Sequence, residues 1–284
     1  MRVVNTSSEK KYPAYSVLMT VYKKDNPDYF RQSLQSMLTQ SVKPNEVVII
    51  TDGIIPNELE RVIDDLDKKY PDIINEIRLE ENVGLGMALK IGVPKCKNEL
   101  IARMDSDDIS LPDRCRLQLE AFINNPDLDI VGYSIKEFSG DVDNIVGVRR
   151  VPETNEEIYK FSRLRDPFNH PTVMFRKKKV LESGNYGDYR KNQDTDLWIK
   201  MLSHNAVCMN LNDDQFRFRF DENTYVRRKN WLNTSILLSI RYNAWKSGFN
   251  TLNEFLIISL GQLIRYILPL SFQKIIYRFL KGSN

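Results

Sequence analysis

Apolar residues recur along the chain in two periods. Tyr15 to Tyr22 reads YSVLMTVY, a short apolar and β-branched run of the kind a buried strand requires. Asn26-Pro27 then supplies a cap and a proline suited to the first helical position, and Phe30, Leu34, Met37 and Leu38 follow at helical spacing. The alternation continues. Glu46 to Thr51 predicts a strand, Asn57 to Tyr70 a helix, Ile73 to Leu79 a strand, Gly84 to Val93 a helix, and Glu99 to Met104 a fourth strand running into Asp105. Strand and helix taking turns predict an α/β sheet, mostly parallel, with ligands at the carboxyl ends of its strands.

Beyond Pro126 the pattern changes. Asp129 to Phe138 and Ile145 to Val151 read as strands separated by a Gly140-Asp141 turn, so a hairpin or mixed sheet is expected. Thr172 to Phe175 reads as an apolar strand, and helices are predicted at Glu153 to Arg163 and Thr195 to Ser203. From Asn230 onward only helices are predicted, broken at Gly248 and Pro269. The expected organisation is a lead over 1–14, one α/β domain over 15–225 and a helical region over 226–284.

Composition narrows the partners. The 284 residues carry 41 Lys+Arg and 38 Asp+Glu, a net charge of +3, too balanced for the basic face that nucleic acid demands. With 42% hydrophobic and 28% charged residues the chain can bury a substantial core. Cys96, Cys115 and Cys208 form no C-x-x-C pair, which fits a reducing cytoplasm and disfavours a sulfur-ligated zinc. His170 and His204 are the only histidines, so a metal here would be held by oxygen, which favours Mg²⁺ or Mn²⁺. Met1 to Tyr12 lacks the apolar centre of a secretory signal, and export is not expected. The most apolar stretch, Leu252 to Leu270, is interrupted by Glu254, Gln262 and Arg265 and falls short of a membrane span.

The chemistry concentrates in Arg103 to Arg116, RMDSDDISLPDRCR. Asp105, Asp107 and Asp108 stand where a buried strand ends. Ser110 is expected to cap the next helix, with Pro112 in its first turn and Asp113 at the capping-box position. Carboxylates this close repel unless a cation neutralises them or water screens them, so either a metal site or an acidic surface turn follows. An EF-hand fails, since its required positions hold Ile109, Ser110 and Arg116. A dinucleotide fingerprint at Asn82-Val83-Gly84-Leu85-Gly86 fails at Leu89, where the third glycine would fall, and no P-loop is present.

Tyr15 to Tyr22, Asp52-Gly53, Asn82 to Leu85, the stretch from Ala102 to Gln118 and Asp194 to Trp198 occur in the order and spacing of the family 2 glycosyltransferases. The chain resembles that family over about Tyr15 to Phe220, most closely the bacterial enzymes that build capsule, O-antigen or exopolysaccharide. The resemblance implies a GT-A fold and an inverting transfer of sugar from a nucleotide sugar, with a UDP-sugar expected. It places Thr20 and Tyr22 about the nucleotide base, Asp52 at the uracil edge, and Asn82 and Gly84 beside base and ribose. Lys90 would lie near the diphosphate, or be a solvated helix lysine. Asp107 would ligate a divalent cation, Mn²⁺ or Mg²⁺, while Asp105 contacts the ribose or the metal shell. Asp52 is preceded by Thr51 where the family often has a second acid, which loosens the uridine assignment.

A base for the acceptor hydroxyl is expected in Gln193-Asp194-Thr195-Asp196-Leu197-Trp198, where the family has Glu-Asp. Helix geometry separates the two aspartates. Asp194 shares a face with Leu197, Trp198 and Met201 and points inward, as catalytic base or as helix cap. Asp196 faces Lys200 at i+4, the geometry of a solvent-exposed ion pair. By resemblance His170 could line the acceptor or sugar pocket, and Trp198 could wall a sugar ring, although both residues also suit a core. Arg227, Arg228 and Lys229 fit a loop over the diphosphate or a solvated basic turn.

Finally, no acidic residue occurs from Phe255 to Asn284, while Arg265, Lys274, Arg278 and Lys281 are basic and Phe272, Ile275, Ile276 and Phe279 recur as a helical stripe. Such a segment suits an anionic membrane surface, the catalytic domain or a second subunit equally. The resemblance to capsule and O-antigen enzymes implies a saccharide acceptor that is lipid-linked, which would place the chain at the inner face of the cytoplasmic membrane. Two rival readings are a metal-dependent phosphotransferase, which would want its D-x-D after the first strand, and a non-catalytic sugar-nucleotide-binding scaffold.

Overall fold

The computed structural model of the chain describes residues 11–220 and 230–268. Its first half follows the predicted alternation: β1 (Tyr15–Val21), α1 (Pro27–Leu38), β2 (Glu46–Thr51), α2 (Asn57–Lys69), β3 (Ile74–Arg78), α3 (Leu85–Lys95) and β4 (Leu100–Met104). Asn26 caps α1 as expected, its side chain accepting from the N–H groups of Asp28 at 2.9 Å and Tyr29 at 3.1 Å. The second half adds β5 (Ile109–Ser110), α4 (Arg114–Asn124), β6 (Ile130–Tyr133), β7 (Ile135–Phe138), β8 (Ile145–Arg149) and α5 (Asn155–Ser162). A 3₁₀ turn (His170–Thr172), β9 (Met174–Arg176), α6 (Lys177–Glu182), α7 (Gln193–Ser203), β10 (Cys208–Leu211) and β11 (Phe216–Arg219) complete the α/β part. Two further helices follow, α8 (Trp231–Lys246) and α9 (Leu252–Ile267).

The main sheet has seven strands in the order β10-β6-β9-β4-β1-β2-β3. All neighbours run parallel except β9, which is antiparallel to both β4 and β6. Central strands are mostly apolar because both faces are covered: Tyr15, Val17 and Met19 join one buried cluster with α1, α2 and α4, while Leu18 joins another with α3 and α7. A smaller sheet, β5-β11-β7-β8, stands beside the carboxyl end of β4.

Three expectations are corrected. Ser110 does not cap a helix; it is a strand residue opposite Phe216, with its N–H on Ser36 Oγ at 3.2 Å. The helix starts at Arg114, and the Asp113 carboxylate accepts instead from Ser41 Oγ at 2.7 Å and Arg116 Nε at 2.9 Å. The single strand expected over Asp129 to Phe138 breaks at Ser134, sending β6 into the main sheet and β7 into the small one. The strand expected from Thr172 begins two residues later, because His170 to Thr172 form the 3₁₀ turn. Gly248 breaks the C-terminal helices with φ 82°, as expected, whereas Pro269 lies outside the described residues.

The helical region is fastened to the domain through α8. Ile240 and Ala244 pack on Ile199 of α7, and Arg163 after α5 pairs with Glu254 of α9 at 2.7 Å. Among the described residues no helix is long and apolar enough to cross a membrane.

Buried polar anchors position the site. Gln118 of α4 donates from Nε2 to Val131 O and Thr172 O, both at 2.8 Å, tying β6 to the 3₁₀ turn that carries His170. Gln118→Met keeps the volume and strands two buried carbonyls, so it should lower unfolding free energy by about 1–3 kcal/mol. Urea unfolding measures this, and an unchanged midpoint contradicts the assigned role.

Candidate active site

Strand β4 ends in the middle of the sheet, where its polar continuation meets the N-terminal ends of helices and the small sheet. Arg103, its penultimate polar residue, is 0% exposed. A buried guanidinium must be paired, and Nη2 meets Asp105 Oδ1 at 2.5 Å. Asp105, Asp107 and Asp108 bring carboxylate oxygens within 4.8 Å of one another. Asp108 is buried, with Oδ1 accepting from the Arg219 N–H at 2.8 Å and Oδ2 without a hydrogen-bond partner among the described residues. Burial, then the charges of Asp107 and Asp105, push Asp108 well above the usual carboxylate range.

Arg219 at the end of β11 braces this acidic loop. Its Nε donates to Asp107 O at 2.8 Å and its Nη2 to Gln32 Oε1 at 2.9 Å, while its guanidinium lies 3.8 Å from the Tyr29 ring centre and 4.6 Å from that of Phe138. Asp25, just ahead of α1, approaches from the other side. It accepts from the Tyr22 N–H at 3.1 Å, and burial followed by the fields of Asp107 and Asp105 pushes it up to about 7, against the pull of the Tyr22 N–H and Ser106. Neither Arg219 nor Asp25 was singled out from sequence. Only the fold brings them to the D-x-D loop, since each comes from an element distant in the chain.

The strand ends of β1 and β2 form the adjoining wall. Thr20 is half-buried near the end of β1, and Tyr22 is exposed just after it. Asp52 is buried after β2 and organises the turn ahead of α3: Oδ1 accepts from the Val83 N–H at 2.7 Å, and Oδ2 from Asn82 Nδ2 at 2.8 Å and the Gly84 N–H at 3.0 Å. Gly84 holds φ 88°, and a Cβ there would stand 3.1 Å from Arg190 Cγ, so the turn needs glycine. Lys90 is exposed in mid-helix, with its carbonyl taken by Asn185 Nδ2 at 3.0 Å.

Helix α7 supplies the third wall. Asn192 takes the cap position, so Asp194 is not the cap; it sits in the first turn, half-buried. Burial, then Asp166 and Asp105, push Asp194 up to about 7 despite neighbouring backbone N–H groups. Asp196 pairs with Lys200 at 2.6 Å as expected, but it is only 13% exposed rather than solvated, because Gly187 closes over it. His170 is buried, its Nε2 2.9 Å from Tyr186 Oη, and burial with the Arg103 charge holds it well below the usual histidine range. Trp198 corrects an expectation. At 1% exposure it offers no face to a sugar ring, and its ring packs edge-on against Phe168 and His170. Arg227, Arg228 and Lys229 lie outside the described residues.

The arrangement thus joins an acidic cluster, a turn of backbone N–H groups and a carboxyl with raised proton affinity along one sheet edge. The sequence profile of Glycosyl transferase family 2 matches residues 16–184. The chain belongs to glycosyltransferase family 2. Among curated relatives of this glycosyltransferase is the UDP-Gal:alpha-D-GlcNAc-diphosphoundecaprenol beta-1,3-galactosyltransferase of Escherichia coli. It is 34% identical over 266 residues, 94% of this chain and 96% of the relative. The amylovoran biosynthesis glycosyltransferase AmsE of Erwinia amylovora is 33% identical over 217 residues, 76% of this chain and 80% of the relative. The fold matches the mannosyltransferase PcManGT from Pyrobaculum calidifontis, solved with GDP-Man and Mn²⁺, with a TM-score of 0.63 and 14% identity across 97% of this chain and 77% of that one. GalNAc-T7, solved with UDP, GalNAc and Mn²⁺, gives 0.62 and 13% over 75% of this chain and 45% of that one. The glycosyltransferase therefore has a GT-A fold and is an enzyme of an inverting family, as the motif order implies, and relatives of it are named for bacterial surface-polysaccharide synthesis.

The donor set of the acidic loop suits a hard divalent cation: three carboxylates converge, and the orphaned Asp108 oxygen is one such group that a cation would satisfy. Asp107→Ala should abolish Mn²⁺ binding by calorimetry. Arg219→Ala, which unbraces the loop, should weaken it by about tenfold or more. Equal affinity in parent and Arg219→Ala protein would assign the brace to folding alone.

Proposed function

We propose that this glycosyltransferase moves a sugar from a UDP-sugar to a hydroxyl of a lipid-linked saccharide acceptor, with Asp194 as the general base. The observation that carries the reading is the half-buried Asp194 carboxyl, raised to about 7 and facing the same catalytic edge as Asp105. In the donor subsite Thr20 and Tyr22 bracket the base, and Asn82 and Gly84 lie beside base and ribose. Asp52 holds the 82–84 turn and keeps a lone pair on Oδ1 for a nucleobase N–H. Lys90, on α3 beyond this turn, is assigned to the diphosphate side.

Asp107, with Asp108 and Asp105 beside it, would hold Mn²⁺ or Mg²⁺, which supplies neutralisation of the charge on the leaving diphosphate. Asp105 contacts the ribose or the metal shell and is fixed by Arg103. His170, itself buried, lines the acceptor pocket from below through Tyr186. Asp194 takes the proton of the acceptor hydroxyl as its oxygen attacks the anomeric carbon opposite the diphosphate. The C–O bond to the diphosphate breaks with its electron pair, and the configuration inverts. A proton affinity near neutrality suits this task, since the base must be ionised before attack and hold the proton afterwards.

A lipid-linked acceptor needs the enzyme at a bilayer, and we assign the exposed face of α9 to it, at the inner face of the cytoplasmic membrane. Leu252, Leu256, Ile257, Leu260, Leu263, Ile264 and Ile267 repeat on one face and are 37–76% exposed. No acidic residue occurs from Phe255 to Asn284, while Arg265, Lys274, Arg278 and Lys281 match anionic headgroups. The protein should float with vesicles rich in phosphatidylglycerol, less with phosphatidylcholine, and Leu256→Gln with Leu260→Gln should reduce flotation. Absence of flotation, or a dimer by sedimentation that these changes dissociate, assigns the stripe to protein.

Asp194→Asn should retain UDP binding and lose transfer by about 10²–10⁴-fold. Because the base works ionised, kcat/KM of the parent should rise as pH climbs through about 7 and fall away below it. Retained transfer in Asp194→Asn moves the base to another residue.

A further inference from the structure

The helical region sends one charged side chain back toward the catalytic edge. Arg241 of α8 is buried, donates from Nη1 to Ser162 O at 2.9 Å, and places Nη2 3.6 Å from Asp166 Oδ1. Asp166 belongs to the loop between α5 and the 3₁₀ turn, and its side chain is 42% exposed. The following residues of that loop lie along α7. The Phe168 and His170 rings meet Trp198 at 5.1 and 5.8 Å between centres, and Trp198 is one helical turn beyond Asp194 on the same face. The Thr195 hydroxyl, adjacent to the base, faces the Asp166 carboxyl. Asp166 is thus pinned to protein on one side and open to solvent on the other, next to Asp194.

We propose that Asp166 is a second carboxylate of the acceptor site, which accepts a hydrogen bond from a sugar hydroxyl neighbouring the one that Asp194 deprotonates. This rests on Asp194 being the base. A carboxylate only accepts, whereas a sugar presents hydroxyl donors on adjacent carbons, so two neighbouring carboxylates at one helix end match two neighbouring hydroxyls. Burial pushes the Asp166 carboxyl above its usual range, and Arg241 pulls against that and holds it in place, leaving its solvent-facing side open, since the Arg241 contact is long and its other bond goes to Ser162.

The charged and titratable groups facing Asp194 are Asp166 from the loop, Asp105 from the end of β4 and Tyr186 from the loop before α7. Arg103 lies behind Tyr186 and His170, and Arg241 lies across Asp166. Among these, Asp166 is the largest charge that raises Asp194. A second consequence follows: burial, and after it the Asp166 charge, raise Asp194, so removing Asp166 should make Asp194 more acidic.

Asp166→Asn and Asp166→Glu in the full chain test both consequences, with UDP-galactose and a GlcNAc-diphosphate lipid, the pair named for the E. coli relative, as probes. Asp166→Asn should raise the acceptor KM about tenfold to a hundredfold, the loss of one hydrogen bond to a charged group, with donor binding unchanged. The acid limb of kcat/KM should move to lower pH in Asp166→Asn and return in Asp166→Glu. Carbon NMR titration of the Asp194 carboxyl reads the same shift without turnover, so the result does not depend on the acceptor chosen. An Asp194 titration unmoved in Asp166→Asn overturns the proposal, as does an unchanged acceptor KM where the acceptor is used. Transfer retained in Asp194→Asn, by contrast, overturns the base assignment.

Discussion

The site depends on one buried ion pair. Arg103 sits in the central strand with no exposed surface, and a guanidinium left alone there would be several kcal/mol too costly to keep. Its partner is Asp105, the first residue after β4. That contact fixes where the strand stops and the acidic loop begins. It also sets a positive charge among carboxylates that otherwise repel, and the same charge reaches His170 and Tyr186 beside α7. One side chain from the core therefore orders both halves of the catalytic edge.

Around this pair the fold brings carboxyls together at unequal cost. Asp108 is buried and pushed far up, Asp25 and Asp194 sit near neutrality, and Asp113, outside the cluster, is held down to about 2 by Arg116 and Ser41. Such a gradient is how one composition serves two tasks, since groups that must carry charge are braced by cations and N–H donors, and a group that must exchange a proton is left with burial and like charge. Arg219 performs the bracing on one side, stacked between Tyr29 and Phe138 and tied to the Asp107 carbonyl. The phosphotransferase alternative finds no support in this layout, because the acidic pair follows the fourth strand of the chain and not the first.

The sequence made the parallel core legible because β1, β2 and β4 are buried on both faces and are apolar at most positions. It concealed β11, whose FRFR repeat puts arginines on one side and rings on the other, and it concealed the break at Ser134, since both halves of that run are buried. The direction of Asp194 could be read from helical spacing, as could its distinction from Asp196. Spacing could not say whether an inward face meets a pocket or a core, and Trp198 meets a core. Asp25, Asp166 and Arg219 were invisible for a different reason. Each lies in a loop or at an edge whose position relative to β4 is set only by long-range packing.

The helical region ties these two levels together. Its buried side, through Arg241, Ile240 and Ala244, grips the loop before the 3₁₀ turn and the helix that carries Asp194. Asn192, at the start of that helix, donates to Asn233 of α8 at 2.9 and 3.1 Å. Its other side is the apolar stripe of α9. A helix pair that packs on α7, the helix carrying Asp194, on one side and presents leucines and isoleucines on the other fixes how far that end of the site stands from whatever covers the stripe. If lipid covers it, the sugar of a lipid-linked acceptor arrives along the same helices that hold the carboxylates receiving it. The helices are then part of the acceptor site rather than an appendage to a donor-binding domain.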